Sequence, residues 1–181
     1  MKTQLDILDQ QLSKLRPEYY KQLQPGLSED KIQSLQQQYN ITLPEDVITL
    51  YKWRNGQQDD CYKAFVNNST FLSLESALNS AELHTGMIGS DFEIENWWHK
   101  DWIPLFHNGG GDLICYDMGG LFTNNPGQLI EFWHADNDRN IIAPSLTVFL
   151  DALIAYYKAG KIDEYYEVEI PEGYPKRYTV E

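Results

Sequence analysis

Residues 101–117, Asp-Trp-Ile-Pro-Leu-Phe-His-Asn-Gly-Gly-Gly-Asp-Leu-Ile-Cys-Tyr-Asp, constrain the fold of this chain more than any other stretch. Two apolar runs, Trp102–Phe106 and Leu113–Tyr116, flank a polar segment with three consecutive glycines. Strand formers on both arms of a loop that tolerates positive φ predict a β-hairpin. Gly109, Gly110 and Gly111 lack the Cβ that forbids those angles, and Asn108 and Asp112 are turn formers in their own right. A phosphate-cradling loop would need a helix opening directly after the glycines, to supply free N–H groups and the dipole. Here the glycines lead into a strand, so the hairpin reading stands.

Around this hairpin the hydrophobic period changes. Leu5, Leu8, Leu12 and Leu15 recur at three and four, predicting a helix that the Arg16-Pro17 step ends. Glu18–Leu23 reads as a further short helix with Pro17 at its first position. Pro25-Gly26 reads as a turn. Ser28 is a good N-cap for a helix with Ile32, Leu35 and Tyr39 on its apolar face. Pro44 opens another through Val47, Leu50 and Tyr51 to Trp53, with Asn55-Gly56 expected to close it in a left-handed cap. From residue 60 the period shortens toward two, and Tyr62–Val66 and Phe71–Leu74 read as short strands or as a strand with a loop. Leu74–Met87 reads as a helix and Gln128–Trp133 as a strand. Ser145 caps a final helix whose Leu146, Phe149, Leu150, Leu153, Ile154 and Tyr157 form a wide apolar stripe, stopped by Gly160. Residues 161–181 mix aromatics with charge and are expected to pack loosely or to pair at an edge. Helices, then strands, then one helix predict an α+β fold with a mainly antiparallel sheet and helices packed mostly on one side. No repeat or linker interrupts residues 1–181, so a single domain is expected, and 181 residues can build a core without staples.

Charge narrows the partners. The net charge is −13. Residues 1–60 hold nine acids and seven bases, whereas residues 61–181 hold 18 acids and seven bases. An acidic surface repels nucleic acid, whose binding depends on Lys and Arg neutralising phosphates, and steers a basic partner inward. No apolar run is long enough to span a membrane, and the first residues lack a secretory h-region, so a cytoplasmic location is expected. Cys61 and Cys115 are too few for a disulfide scaffold; Cys115 fits a buried strand position, and a bridge between the two is left open.

Chemistry is sparse. His84, His99, His107 and His134 lack the spacing of metal-ligand pairs, and no cysteine lies near them in sequence. His107 is placed to approach Asp112 across the hairpin, and His134 lies near Asp136 and Asp138; these read as loop histidines beside solvated acids. Paired carboxylates such as Asp59-Asp60 sit in loops and first turns, not in contrasting environments within a cleft. No nucleophile elbow is present. No catalytic residue, metal or cofactor is therefore assigned. Of the five tryptophans, Trp102 and Trp133 are expected in the core. Trp97 and Trp98 are neighbours facing opposite ways on an extended chain, so one of them should be presented near the surface as an aromatic anchor.

Trp-Ile-Pro-Leu-Phe-x-Asn-Gly-Gly-Gly-Asp at 102–112, Gly127–His134, Ala143-Pro144-Ser145-Leu146…Phe149-Leu150 and Leu43-Pro44-Glu45-Asp46-Val47…Leu50-Tyr51…Asn55-Gly56 follow one another in the order seen in the SUKH superfamily, the group of the yeast cell-wall assembly regulator. The chain resembles that superfamily over about residues 16–157, with the N-terminal helix and the acidic tail outside. The resemblance implies a non-enzymatic binding role. Bacterial members are implicated as immunity proteins against polymorphic or contact-dependent toxins, many of them nucleases; fungal members act as regulatory adaptors in cell-wall synthesis and signalling. The implied partner is a protein, a basic toxin domain in the first case. Asp59, Asp60, Asp136 and Asp138, in expected loops, and Trp97 and Trp98 are the partner-binding candidates.

Overall fold

The computed structural model describes residues 1–160 and 163–181; Lys161 and Ile162, the first residues of the expected tail, lie outside the described residues. The chain begins with α1 (Lys2–Leu15), whose Leu5, Leu8 and Leu12 are buried, and α2 (Pro17–Tyr20), with Pro17 at its start. β1 (Leu23–Pro25) follows, then α3 (Glu29–Gln38) and α4 (Glu45–Trp53). β2 (Arg54–Gln57) runs antiparallel to β1 as a separate two-stranded ribbon. β3 (Thr70–Phe71) leads into α5 (Leu74–Gly86), whose N-cap Ser73 accepts from the Ser76 N–H.

The second half is the predicted sheet. β4 (Trp102–His107), β5 (Leu113–Asp117), β6 (Gln128–Phe132), β7 (Asp138–Ala143) and, after α6 (Leu146–Ala159), β8 (Lys176–Thr179) join β3. The six strands lie in chain order, every neighbouring pair antiparallel. The fold is α+β. Side chains alternate between two faces, as the pleat requires. Ile114, Tyr116, Leu129 and Ile142 enter a large core with residues from α1, α3, α4, α5 and α6, running from Leu5 to Val168. Leu113, Cys115, Ile130, Phe132 and Ile141 face the other way, onto Trp98 and Trp102, with Phe92, Trp97, Leu121 and Phe122 at their margin. Helices therefore cover one face and mainly loops the other.

Several expectations need correction. The helix expected over Glu18–Leu23 ends at Tyr20, because Leu23 is taken into pairing with Gln57. Asn55-Gly56 is not a helix cap but part of β2. Asn55 Oδ1 accepts from the Leu74 N–H of the later helix, at 2.9 Å. Gly56, at φ +75°, lies so close to Leu72 that a Cβ would come within 2.5 Å of its carbonyl carbon. Of the two readings of 62–74, two short strands or a strand with a loop, the second holds: Tyr62–Val66 forms no strand, and Val66 makes only an isolated bridge to Ser69. The run Phe71–Leu74 divides between β3 and the start of α5. β7 has no counterpart in the sequence reading, and Asp138 opens it rather than lying in a loop. Residues 176–179 do pair at an edge, against β7. Cys61 and Cys115 are both buried free thiols.

Candidate functional site

Antiparallel order places the β4–β5 turn (108–112) and the β6–β7 turn (133–137) at the same end of the sheet, since His107 pairs with Leu113 and Phe132 with Arg139. Asn108 builds the first turn. Its Oδ1 accepts from the N–H groups of Gly110 (2.8 Å) and Asp112 (3.1 Å), and its Nδ2 donates to Asp112 Oδ2 (2.7 Å). Gly109 and Gly111 have φ of +79° and +105°, the positive angles the sequence called for. Asp112 then reaches across to the second turn. Its Oδ1 accepts from the His134 backbone N–H at 3.1 Å and lies 2.8 Å from His134 Nδ1. Asp112 thus pairs with His134, not with His107 as expected. Burial works to raise the Asp112 carboxyl, but these bonds from His134 and Asn108 outweigh it and hold the group below the usual aspartate range. His107 is half-buried, and burial lowers its pKa, favouring the neutral ring.

Two depressions flank the tip. One, of about 410 Å³, is bounded by Asp59, Tyr62, Thr70, Ser73, His107 and Asn108 among others. A smaller one, of about 90 Å³, shares Asn68 and Asn108 with it and continues past Asp112 to Glu131 and Trp133. The floor of the larger is held by Gln57. Gln57 Oε1 accepts from Tyr19 Oη (2.7 Å) and the Phe71 N–H (3.0 Å), while Nε2 donates to the carbonyls of Cys61 (2.6 Å) and Lys63 (3.0 Å). Those last two bonds fix the loop that carries Asp59, Asp60 and Tyr62. Asp59 and Asp60 are exposed, and Tyr62 is 87% exposed.

The remaining candidates divide. Asp136 is exposed in the second turn, its Oδ1 accepting from the Asp138 N–H at 2.9 Å. Asp138 is committed to the sheet edge, accepting from Thr179 Oγ1 (2.7 Å) and lying 3.4 Å from Arg177 Nε. Trp98 is buried at 3% exposure against Trp102 and Phe132, so its ring is not presented. Trp97 is partly buried, with the Arg139 guanidinium 4.7 Å from its ring centroid. Trp133, expected in the core, is only half-buried and walls the smaller depression. Arg139 itself is 0% exposed and donates to the carbonyls of Trp97 (2.8 Å), Asp136 (2.6 Å) and Asp138 (2.8 Å). Burial pulls its guanidinium down to about 10, still charged at neutral pH. Asp59 and Asp112 border the two depressions at the hairpin tip, and Asp136 lies in the turn that Asp112 reaches through His134. Tyr62 and the Asp112–His134 pair are the residues sequence reasoning missed as site components.

Acids outnumber Lys and Arg by 18 to seven over residues 61–181. Between Lys100 and Lys158 the sequence contains one Lys or Arg, Arg139, and its guanidinium is turned inward. Among the described residues, no three His, Cys, Asp or Glu side chains are grouped to hold a metal ion, and no helix is long and apolar enough to cross a membrane. No curated protein sequence matches the chain. Residues 26–152 match the SMI1 / KNR4 family (SUKH-1), and the chain belongs to that family.

Proposed function

We propose, on the premise of this SUKH-1 membership, that the chain is a non-catalytic binding domain that neutralises a toxin, with the acidic end of its sheet facing a basic domain of that toxin. The family supplies the role, since its members include immunity proteins and regulators. The observation that carries the mechanism is the absence of an exposed Lys or Arg from residues 101–157, while Asp59, Asp60 and Asp136 stand exposed at the end where the turns meet. Surface carboxylates in excess over cations raise the encounter rate with a positively charged partner and suppress binding of nucleic acid; Lys63 and Arg177 are exposed cations that offset part of this excess. A nuclease fits this description, because its substrate cleft must carry positive charge to hold phosphates. Inhibition by such a surface is occlusion, and a cytoplasmic location, where the chain would protect its own cell, belongs to the same proposal.

The test is co-expression with the products of the genes beside this chain's own, a large toxin among them being the expected partner. Restored growth, together with a complex that survives gel filtration, supports the reading. A partner drawn instead from cell-wall synthesis or signalling, with no toxin protected against, would establish the adaptor role in its place.

A further inference from the structure

We propose that the 410 Å³ depression beneath Tyr62 receives an arginine side chain of the partner. The inference rests on the reading of a basic partner and names the group that enters. Three observations point to a guanidinium. Tyr62 borders the depression yet is 87% exposed, the largest exposure among the large apolar side chains left uncovered. A free aromatic face beside a carboxylate attracts a cation, and a planar one both stacks and hydrogen-bonds. Asp59 supplies that carboxylate. Among the described residues of the lining none is Lys or Arg, and half-buried His107 favours its neutral form. Lys63 follows Tyr62 in sequence but does not line the depression.

The opposing field is small. α5 begins at this depression, and a helix N-terminus repels cations. Its first free N–H groups are already partnered by Asn55 and Ser73, and Glu75 sits in the first turn. The chain also holds its own arginines by the same chemistry. The Arg54 guanidinium lies 4.6 Å from the Tyr20 ring centroid and 2.8 Å from Asp9 Oδ1. Arg16 lies between the rings of Tyr19 (3.9 Å) and Tyr166 (3.5 Å) and donates to the carbonyl of Ala64. Tyr62 and Asp59 bring the same two residue types, an aromatic ring and a carboxylate, to the lining of one depression.

The experiment titrates the full, isotopically labelled chain with N-acetyl-arginine methylamide and follows amide chemical shifts. Saturable shifts centred on Asp59, Tyr62, Asn108 and Gly109 are expected. The matched citrulline compound, of the same shape without the charge, should give none, and the lysine compound should bind roughly threefold more weakly. Tyr62→Leu and Asp59→Asn should each weaken arginine binding roughly three- to fivefold while leaving the melting temperature unchanged, since both side chains are exposed. Equal shifts from citrulline or lysine, shifts spread over unrelated carboxylates, or binding indifferent to both substitutions would overturn the assignment. The two readings fail separately. Arginine bound here with no toxin neutralised rejects the toxin and keeps the pocket; a toxin bound with no arginine effect rejects the pocket alone.

Discussion

His134 and Asp112, 22 residues apart in sequence, are joined twice: the His134 backbone N–H donates to Asp112 Oδ1 at 3.1 Å, and His134 Nδ1 lies 2.8 Å from the same oxygen. One carboxylate thereby ties the two turns at the acidic end of the sheet. The surface proposed to meet the partner is fixed by this pair as well as by the strands beneath it.

Acid should loosen that tie. The folded Asp112 carboxyl is held below its ordinary value, near 4, so its contribution to stability is complete above that value and is lost as the pH falls through the lowered one. Melting temperatures measured between pH 7 and pH 2 should therefore fall more steeply for the native chain than for Asp112→Asn, and only at the acidic end. Parallel curves would show that the pair adds nothing to stability.

The three hairpin glycines are predicted to be unequal. Gly109 has φ +79° and open space around it, so Gly109→Ala should cost on the order of 1 kcal/mol through backbone strain alone. Gly110 has an ordinary φ and should accept alanine with little change. At Gly111, φ +105°, a Cβ would also meet the His134 ring at 3.0 Å, so Gly111→Ala should cost more than Gly109→Ala and shift the His134 resonances. Denaturant melts of the three variants check the order. Equal losses at all three positions would contradict it.

Arg139 should matter most among the buried polar residues of the sheet. Its guanidinium satisfies part-buried carbonyls of Trp97, Asp136 and Asp138, and a truncated side chain leaves them without these donors and opens a void where a fully buried side chain sat. Arg139→Ala is expected to destabilise by about 3 kcal/mol or more. Equilibrium denaturation measures it, and a loss under about 1 kcal/mol would show that water takes over these carbonyls.

The chain is proposed to fold as one domain. The core shared by α1, α4, α6 and the sheet motivates this. Limited proteolysis should trim the termini and leave one protected fragment; two stable fragments split near residues 56–60 would contradict it.

What the sequence disclosed follows from where its signals are local. Ser145 caps α6 by accepting from the Val148 N–H at 3.2 Å, and Gly160 ends it at φ +69°, both as the residue types announced. The hairpin was legible for the same reason. The misreadings fall where a long-range contact overrides a local pattern. Asn55-Gly56 has the composition of a helix cap, yet Asn55 caps α5, 19 residues on, and Gly56 is demanded by its approach to Leu72. Tyr62–Val66 alternates like a strand, but Gln57 holds the preceding loop through the carbonyls of Cys61 and Lys63. β7 was invisible because it opens Asp-Arg-Asn, polar residues that read as loop until Arg139 is seen with carbonyl partners inside. Of the site, the exposed acids were legible as loop residues. That the 108–112 and 133–137 turns share one end was not legible, since it depends on strand order.

The central claim is electrostatic steering by that end of the sheet, and stopped-flow association with the partner that co-expression identifies tests it most directly. The native chain is compared with Asp59→Asn/Asp60→Asn/Asp136→Asn at about 20 mM and about 500 mM salt, where the screening length falls from several times to less than about 5 Å. The account predicts a native association rate that drops at high salt, a variant slowed at low salt, and rates that converge at high salt with dissociation little altered. An association rate indifferent to both salt and the three substitutions would contradict it.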